Sequence, residues 1–316
     1  MQGHNFEIAV IGGGPSGISA AIQATRFGLN VALFEREKLG GLIRCANLIE
    51  NFPGFYGKTG AEAAQLLSQQ AKSIGVNSIF ENVLKISKTQ NGAFVLETAD
   101  GEYTSDAVIV ATGTKQRKIA IPGLPEGAVR YWTEEPREFS GKDVLVLGGG
   151  EAALDQAIRI SKFSKSIKII CRSKVKAIPI LLDRCAAAGI KIHEDTETIG
   201  GEIADGRITI RTSAGGFQRS NVGALKSAHP TTSPRCADFS CDEIAVFCGR
   251  EPENGILPQQ IRSLENPSVE TKIPGLYLAG DLIAGRRRQL AIAIGTGMDA
   301  ALHAVEYVSA KKEEKV

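Results

Sequence analysis

The chain has 316 residues, 43% of them hydrophobic and 23% charged, with a formal net charge of +2. A chain of that length holds about two domains at ~100–200 residues each. A near-neutral charge without a large basic block speaks against a nucleic-acid partner, no apolar run is long enough to span a membrane, and six cysteines in so long a chain do not make a disulfide scaffold.

The N-terminal residues are polar and the first apolar run is strand-sized, so no secretory leader is read and a cytoplasmic location is expected. That apolar run, residues 8–11, reads as a buried strand. Gly12, Gly14 and Gly17 follow it in the spacing G-x-G-x-x-G, and a helical pattern runs over residues 18–27. A second apolar run, residues 31–34, ends on Glu35. Strand, glycine turn, helix, strand and acid in this order form the setting that a dinucleotide-binding fingerprint requires. Gly12 allows the sharp turn, Gly14 lets a pyrophosphate approach the backbone, and Gly17 lets helix and strand pack closely. Pro15 and Ser16 open the helix, whose unpaired N–H groups and partial positive charge suit a phosphate. Glu35 stands where a ribose 2′-hydroxyl is held, and a carboxylate there disfavours a 2′-phosphate.

Residues 39–55 read as an irregular stretch punctuated by Gly40, Gly41, Pro53 and Gly54. Residues 59–75 read as an amphipathic helix with Leu66, Leu67 and Ile74 on one side. Residues 83–86, 93–97 and 102–105 read as hairpin strands, turning at Asn91-Gly92 and Asp100-Gly101. Residues 107–113 read as a further buried strand that ends on glycine.

A similar unit begins at Val144. A strand leads into Gly148, Gly150, Glu151, Ala152 and Ala153, with Ala153 in the third glycine position, then a helix to about Phe163 and a strand over residues 167–171. Two copies of one nucleotide-binding unit in a single chain are more informative than either alone. No acid ends the second copy's second strand; Arg172, Lys174 and Lys176 follow it. A missing acid and local cations suit a 2′-phosphate, hence NADPH over NADH, although such a run also reads as a solvated basic face. Residues 273–281 form a short strand ending on Gly280-Asp281, and Arg288, Gln289 and a helix from about Leu290 follow. A return to a strand of this kind suggests a discontinuous first domain with the middle one inserted into it.

On these residues the chain resembles the low-molecular-weight thioredoxin reductase group of pyridine nucleotide-disulfide oxidoreductases, over nearly its whole length. The resemblance implies an α/β fold of two Rossmann-like, three-layer dinucleotide-binding domains. Residues 1–118 and 244–316 would bind FAD, and the inserted residues 119–243 would form an NAD(P)-binding-like domain. Glu35 would hold the adenosine ribose of FAD, Asp281 its ribityl chain, and the peptide at Gln289-Leu290 would face the flavin pyrimidine at a helix start. Further FAD contacts are expected from Arg36, Gly41, Leu42, Asn51, Ala111, Thr112, Gly113, Gly280 and Arg288, with NAD(P) at Gly148 to Ala153 and Arg172. No metal site is read. A homodimer is implied by the resemblance alone.

The departures carry the functional reading. The family places a Cys-x-x-Cys pair, which takes electrons from the flavin, just before the second glycine turn; here residues 129–135 contain no cysteine. The family's dithiol relay to thioredoxin therefore cannot run from this position. The phosphate clamp is thinned to Cys171-Arg172-Ser173 with lysines nearby. Cys45, beside Arg44 and in a loop that by resemblance passes the flavin, is the candidate redox thiol, with a small packed hydrophobe as the plainer reading. Glu134 and Glu135 stand near the expected flavin face, where Glu135 is a candidate proton donor, and Trp132 a candidate stacking partner. Residues 227–240, with Cys236, read as an insertion.

The expected activity is an FAD-dependent oxidoreductase that passes electrons from NAD(P)H to an acceptor other than thioredoxin: a ferredoxin or flavodoxin, a small disulfide, or a small organic molecule. Two alternatives stay open. One is a flavoprotein reduced by a protein donor such as ferredoxin without NAD(P)H. The other is an FAD-bound subunit or sensor of a larger redox complex.

Overall fold

A computed structural model of the chain describes residues 4–214, 235–264 and 267–314. They form two compact units, one built on Met1–Lys115 with Glu251–Val316, the other on Gln116–Arg250. The α-helices of the described residues are α1 (Pro15–Arg26), α2 (Gly60–Ile74), α3 (Glu151–Ser161), α4 (Pro179–Ala187) and α5 (Leu290–Glu313).

The first unit is built on parallel strands in the order Asn77–Ile79, Val31–Phe34, His4–Ile11 and Glu102–Val110, with Leu276–Leu278 beside the second half of the last. Ile8, Val10, Leu33 and Ile109 are fully buried. Strands covered on both faces read as continuous apolar runs, and each such side chain contributes about 1.5–3 kcal/mol on burial. Phe94–Glu97 and Lys85–Lys88 extend the sheet antiparallel on the first half of Glu102–Val110.

The sequence suggests two strands where Glu102–Val110 is one. The polar residues that look like a break are paired inside it. Ser105 is buried with its hydroxyl donating to the Ala107 carbonyl at 2.7 Å, and Asp106 accepts from Lys311 Nζ at 2.6 Å.

Helix α2 starts at a capping box, in which Thr59 and Glu62 satisfy each other's backbone donors. It ends on Gly75 at φ +85°. Its inward face differs from the expected one. Ala63, Ala64, Leu67 and Ala71 are buried, whereas Leu66 and Ile74 are exposed. Helix α2 packs against α1, and small residues allow that approach. Helix α5 does the same from another side: a Cβ on its Gly297 would lie 2.1 Å from the Ser16 carbonyl oxygen, and Ala300, Ala301 and Ala304 are fully buried.

The second unit has a parallel sheet in the order Lys191–His193, Ser166–Ile170, Asp143–Leu147, Glu243–Val246 and Val129–Arg130. The sequence reading starts the returning segment at residue 244. That strand belongs to the second unit's sheet, and the chain returns to the first unit at 250/251. A three-stranded antiparallel sheet adds Thr196–Ala204, Arg207–Ala214 and Arg235–Cys241. The expected insertion at 227–240 lies partly outside the described residues, as does the Cys236 side chain. From 235 onward it is sheet, hidden from a pattern reading because Arg235–Cys241 is mostly polar and small.

Candidate functional site

The first glycine turn is fixed by contacts that leave no room for a side chain. A Cβ on Gly12, at φ +106°, would lie 2.4 Å from the Ala111 carbonyl oxygen, and one on Gly17 would lie 1.8 Å from the Gly12 carbonyl oxygen. Gly14 is the opposite case: a Cβ there would meet nothing within 4 Å. The turn is therefore packed behind and open in front.

Glu35, at the end of Val31–Phe34, completes the turn. Its carboxylate accepts from the Gly13 N–H at 2.7 Å and from the Glu37 N–H at 2.9 Å. A carboxylate has about four lone-pair sites, so its half-exposed oxygens can accept ribose hydroxyls as well. Gly40 N–H donates to the Gly13 carbonyl at 2.7 Å, and a Cβ on Gly41 would come within 3.0 Å of Gly14 Cα. The Gly40-Gly41 loop thus lies against the turn beside Gly14.

Ser16 supplies a direct test of what the turn holds. It is 4% exposed, and its Oγ has no hydrogen-bond partner. A buried hydroxyl left unpaired costs about 1–3 kcal/mol. Helix α1 has no side-chain cap at its start, so its first N–H groups also lack side-chain acceptors. An orphaned hydroxyl, an uncapped helix start and an open Gly14 together are what an anionic pyrophosphate satisfies. Gly280, at φ +73°, closes over Ser16: a Cβ on it would lie 2.7 Å from Ser16 Cβ. Its N–H donates to Thr296 Oγ1 at 2.9 Å.

A second uncapped helix start lies in the same unit. Gln289 occupies the position before α5, but its side chain does not cap the helix. Gln289 Oε1 accepts from Asn51 Nδ2 at 2.8 Å. The pair ties the Asn51 loop to the helix start and leaves the positive end of the α5 dipole uncapped. Asp281, in the turn Gly280–Leu282, and Arg288 are both half-buried. Thr112 Oγ1 donates to the Glu253 carbonyl at 2.7 Å, and the Glu253 N–H donates to the Gly113 carbonyl at 3.0 Å. Arg36 is exposed, 3.9 Å from Glu37. The residues of this unit fit FAD.

The second glycine turn keeps the backbone path with a different trim. A Cβ on Gly148 would lie 2.5 Å from the Phe247 carbonyl oxygen, and Gly150 is open. Ala153 replaces the third glycine and is fully buried, so this turn tolerates a methyl. Ala152 takes the place of Ser16, and Glu151 is the acidic residue of the first turn of α3. The residues after Ser166–Ile170 fold over the turn: Lys176 N–H donates to the Gly149 carbonyl at 2.7 Å.

The basic cluster expected there is partly neutralised. Lys174 Nζ lies 3.0 Å from Glu194 Oε2 and 2.8 Å from Asp195 Oδ2, and these two carboxylates hold its pKa above the usual lysine range. Glu194 also accepts from the Val175 N–H at 2.8 Å. Arg172 and Lys176 are exposed and make no ion pair among the described residues. The sequence reading missed Glu194 and Asp195. They follow a three-residue strand, and nothing in their local pattern names a partner from a loop twenty residues earlier.

The segment standing where the family's dithiol falls is occupied with structural tasks. Trp132 is half-buried and packs edge-on against Phe247, with centroids 6.0 Å apart, at the margin of the second unit's core. Thr133 is buried. Arg159 donates to the Thr133 carbonyl at 2.9 Å and to the Glu134 carbonyl. Glu135 caps the one-turn helix Pro136–Phe139, accepting from the Arg137 N–H at 3.1 Å. Its carboxylate is engaged locally, which differs from the proton-donor role expected for it.

The described thiols are buried, apart from the half-buried Cys248. Cys45 is 1% exposed at the end of Gly41–Cys45, and the neighbouring Arg44 guanidinium donates to the Lys38 and Leu39 carbonyls. Burial pushes Cys171 and Cys185 up to about 11 and Cys241 up to about 12. It also raises Cys248, whose Sγ lies 3.4 Å from the Leu147 carbonyl oxygen. No disulfide and no metal-binding group of His, Cys, Asp or Glu occurs among the described residues. No described helix is long and apolar enough to cross a membrane.

Comparison with known proteins agrees with this geometry. Residues 6–300 match the family described as pyridine nucleotide-disulphide oxidoreductase. A Clostridium pasteurianum protein described as a 34.2 kDa protein in the rubredoxin operon is 32% identical over 97% of this chain and 98% of its own length. Thioredoxin reductase of Treponema pallidum is 27% identical over 96% and 97%. Among solved structures, the thioredoxin reductase of T. acidophilum superposes with a TM-score of 0.81 at 25% identity, covering 96% of this chain and 98% of that one. Bacillithiol disulfide reductase of Staphylococcus aureus shares the fold, with a TM-score of 0.76 at 19% identity over 98% and 99%.

Proposed function

The chain belongs to the pyridine nucleotide-disulphide oxidoreductase family, and from that premise we propose that this FAD-dependent oxidoreductase passes electrons from NAD(P)H to a one-electron carrier protein instead of thioredoxin. The observation that carries the reading is the fate of residues 131–135. Where a dithiol would sit, there is a half-buried tryptophan packed on Phe247, a buried threonine and a helix cap. A relay needs a thiolate pair that can reach a partner. The described cysteines are buried or half-buried, and those with shifted thiols are shifted towards the neutral form.

In this reading the first unit holds FAD. The α1 start, with Ser16 and Gly14, binds its pyrophosphate, Glu35 its ribose, and Asp281 its ribityl chain. Flavin supplies the two-electron to one-electron chemistry when bound. The protein's own part is positional and electrostatic: the uncapped start of α5 stabilises negative charge beside it. Cys45 is a packing residue, and electrons leave without it. The rubredoxin-operon relative supports a protein acceptor.

For the second unit we propose NADPH. Arg172 and Lys176 supply cations for a 2′-phosphate, and Lys174 takes no part because Glu194 and Asp195 hold it. A soluble cytoplasmic homodimer fits the family, and gel filtration with light scattering checks it.

The test is anaerobic titration of the purified yellow protein and of Cys45→Ser with NADPH. Bleaching of the flavin absorbance in both, and its return on adding an oxidised iron–sulfur or rubredoxin-type carrier, supports the reading. A Cys45→Ser protein that bleaches but no longer passes electrons on would move the acceptor to the thiol class.

A further inference from the structure

We propose that the exposed face formed by Arg286, Arg287, Lys58 and Tyr56, beside the start of α5, is the docking surface for a small acidic protein that carries one electron at a time. This deepens the function proposed above and rests on its export of electrons without a thiol.

The face is assembled by short-range contacts within the first unit. The Arg287 N–H donates to the Ala284 carbonyl at 2.9 Å, turning the chain just ahead of Gln289. Asn51 Nδ2 reaches Gln289 Oε1 at 2.8 Å. The antiparallel bridge between Ile49 and Lys58 then brings Lys58 back beside Ile49, two residues before Asn51. Arg286, Arg287 and Lys58 are exposed, and none makes an ion pair among the described residues. Glu62, the carboxylate that feels the Lys58 charge, has one oxygen accepting from both the N–H and the hydroxyl of Thr59 in the α2 cap. Tyr56 is 80% exposed at the tip of this loop.

Unpaired cations kept in water serve a partner better than they serve the fold, since an exposed pair adds only about 0–1 kcal/mol to stability. Their sign adds to the positive end of α5, so the local field attracts an acidic body towards the place where the flavin is expected. Arginine and tyrosine are also the residue types enriched at interface hot spots. The patch holds three cations and the whole chain carries a formal charge of only +2. That suits a small protein partner better than a polyanion, which takes an extended basic track. The reaction it serves balances as NAD(P)H plus two oxidised carriers giving NAD(P)+, two reduced carriers and one proton.

The experiment uses the flavin-loaded full chain, its R286E/R287E variant, and an acidic rubredoxin as probe. Binding is followed by surface plasmon resonance over a salt series, and turnover by absorbance. A neutral benzoquinone serves as the control acceptor. The proposal expects wild-type binding that weakens with salt, a KM for rubredoxin raised at least about tenfold in the variant, and quinone turnover unchanged, because charge reversal at a rim changes association more than chemistry. Turnover of rubredoxin with the same KM and salt slope in both proteins overturns the docking face and leaves the acceptor class standing. Salt-sensitive binding that the variant loses, without any turnover in the wild type, keeps the face and overturns the acceptor. Absence of both overturns the two together.

Discussion

The two glycine turns share one backbone path and differ in how tightly it is closed. In the first, Gly17 is wedged against the Gly12 carbonyl, Glu35 is bonded to the turn, and Gly280 and Gly297 crowd Ser16 from α5 and the loop before it. In the second, Ala153 replaces the glycine, Ala152 replaces the serine, and exposed cations replace the acid. The first turn leaves the buried Ser16 hydroxyl without a hydrogen-bond partner. The second lacks such a debt, as suits a nucleotide that comes and goes. Under the proposed function, the same backbone path would serve a resident and an exchangeable dinucleotide through a few side chains.

The largest expected effect breaks the first turn. Gly17→Ala places a methyl 1.8 Å from the Gly12 carbonyl oxygen, a clash worth at least about 1–3 kcal/mol. The variant should purify without flavin colour and melt lower by calorimetry. The mirror change in the second turn, Ala153→Gly, should keep full colour and cost only about 1 kcal/mol, the helix penalty of glycine. Equal damage from both would erase the contrast.

Glu35→Ala comes next. It leaves the Gly13 and Glu37 N–H groups without their acceptor. At about 1.5–3 kcal/mol for a bond to a charged group, FAD affinity measured by fluorescence should fall roughly tenfold to a hundredfold. Arg172→Ala sharpens the other side: KM for NADPH should rise about tenfold with NADH unaffected, and a parallel rise for NADH would remove the 2′-phosphate assignment.

The smallest effect concerns the thiols. A thiol raised towards 11 or 12 stays protonated until the pH approaches that value, so Cys171, Cys185 and Cys241 should resist iodoacetamide at pH 8 in the native protein. Mass spectrometry should find them alkylated only after denaturation.

Much of this was legible in the sequence because local rules carry it. The strand–glycine–helix–acid order located the first glycine turn with Gly12, Gly14, Gly17 and Glu35, and the amphipathic pattern over residues 59–75 located a helix. What was hidden depends on partners distant in the chain. The Glu102–Val110 strand looked broken until Lys311 answered Asp106 from α5. Lys174 looked available until Glu194 and Asp195 arrived from just beyond the next strand. Leu66 and Ile74 looked like a core face, but the neighbouring helix α1 selects alanines for close approach. Glu135 and Trp132 looked like site residues because the resemblance places them near the flavin; their local bonds give them other work.

The direct measurement is anaerobic competition between acceptors. The flavin-loaded protein, given limiting NADPH, is offered oxidised thioredoxin and an oxidised rubredoxin in separate cuvettes. The account predicts two equivalents of rubredoxin reduced per NADPH and no new thiols in thioredoxin. Stoichiometric thioredoxin reduction, with rubredoxin left oxidised, would contradict it.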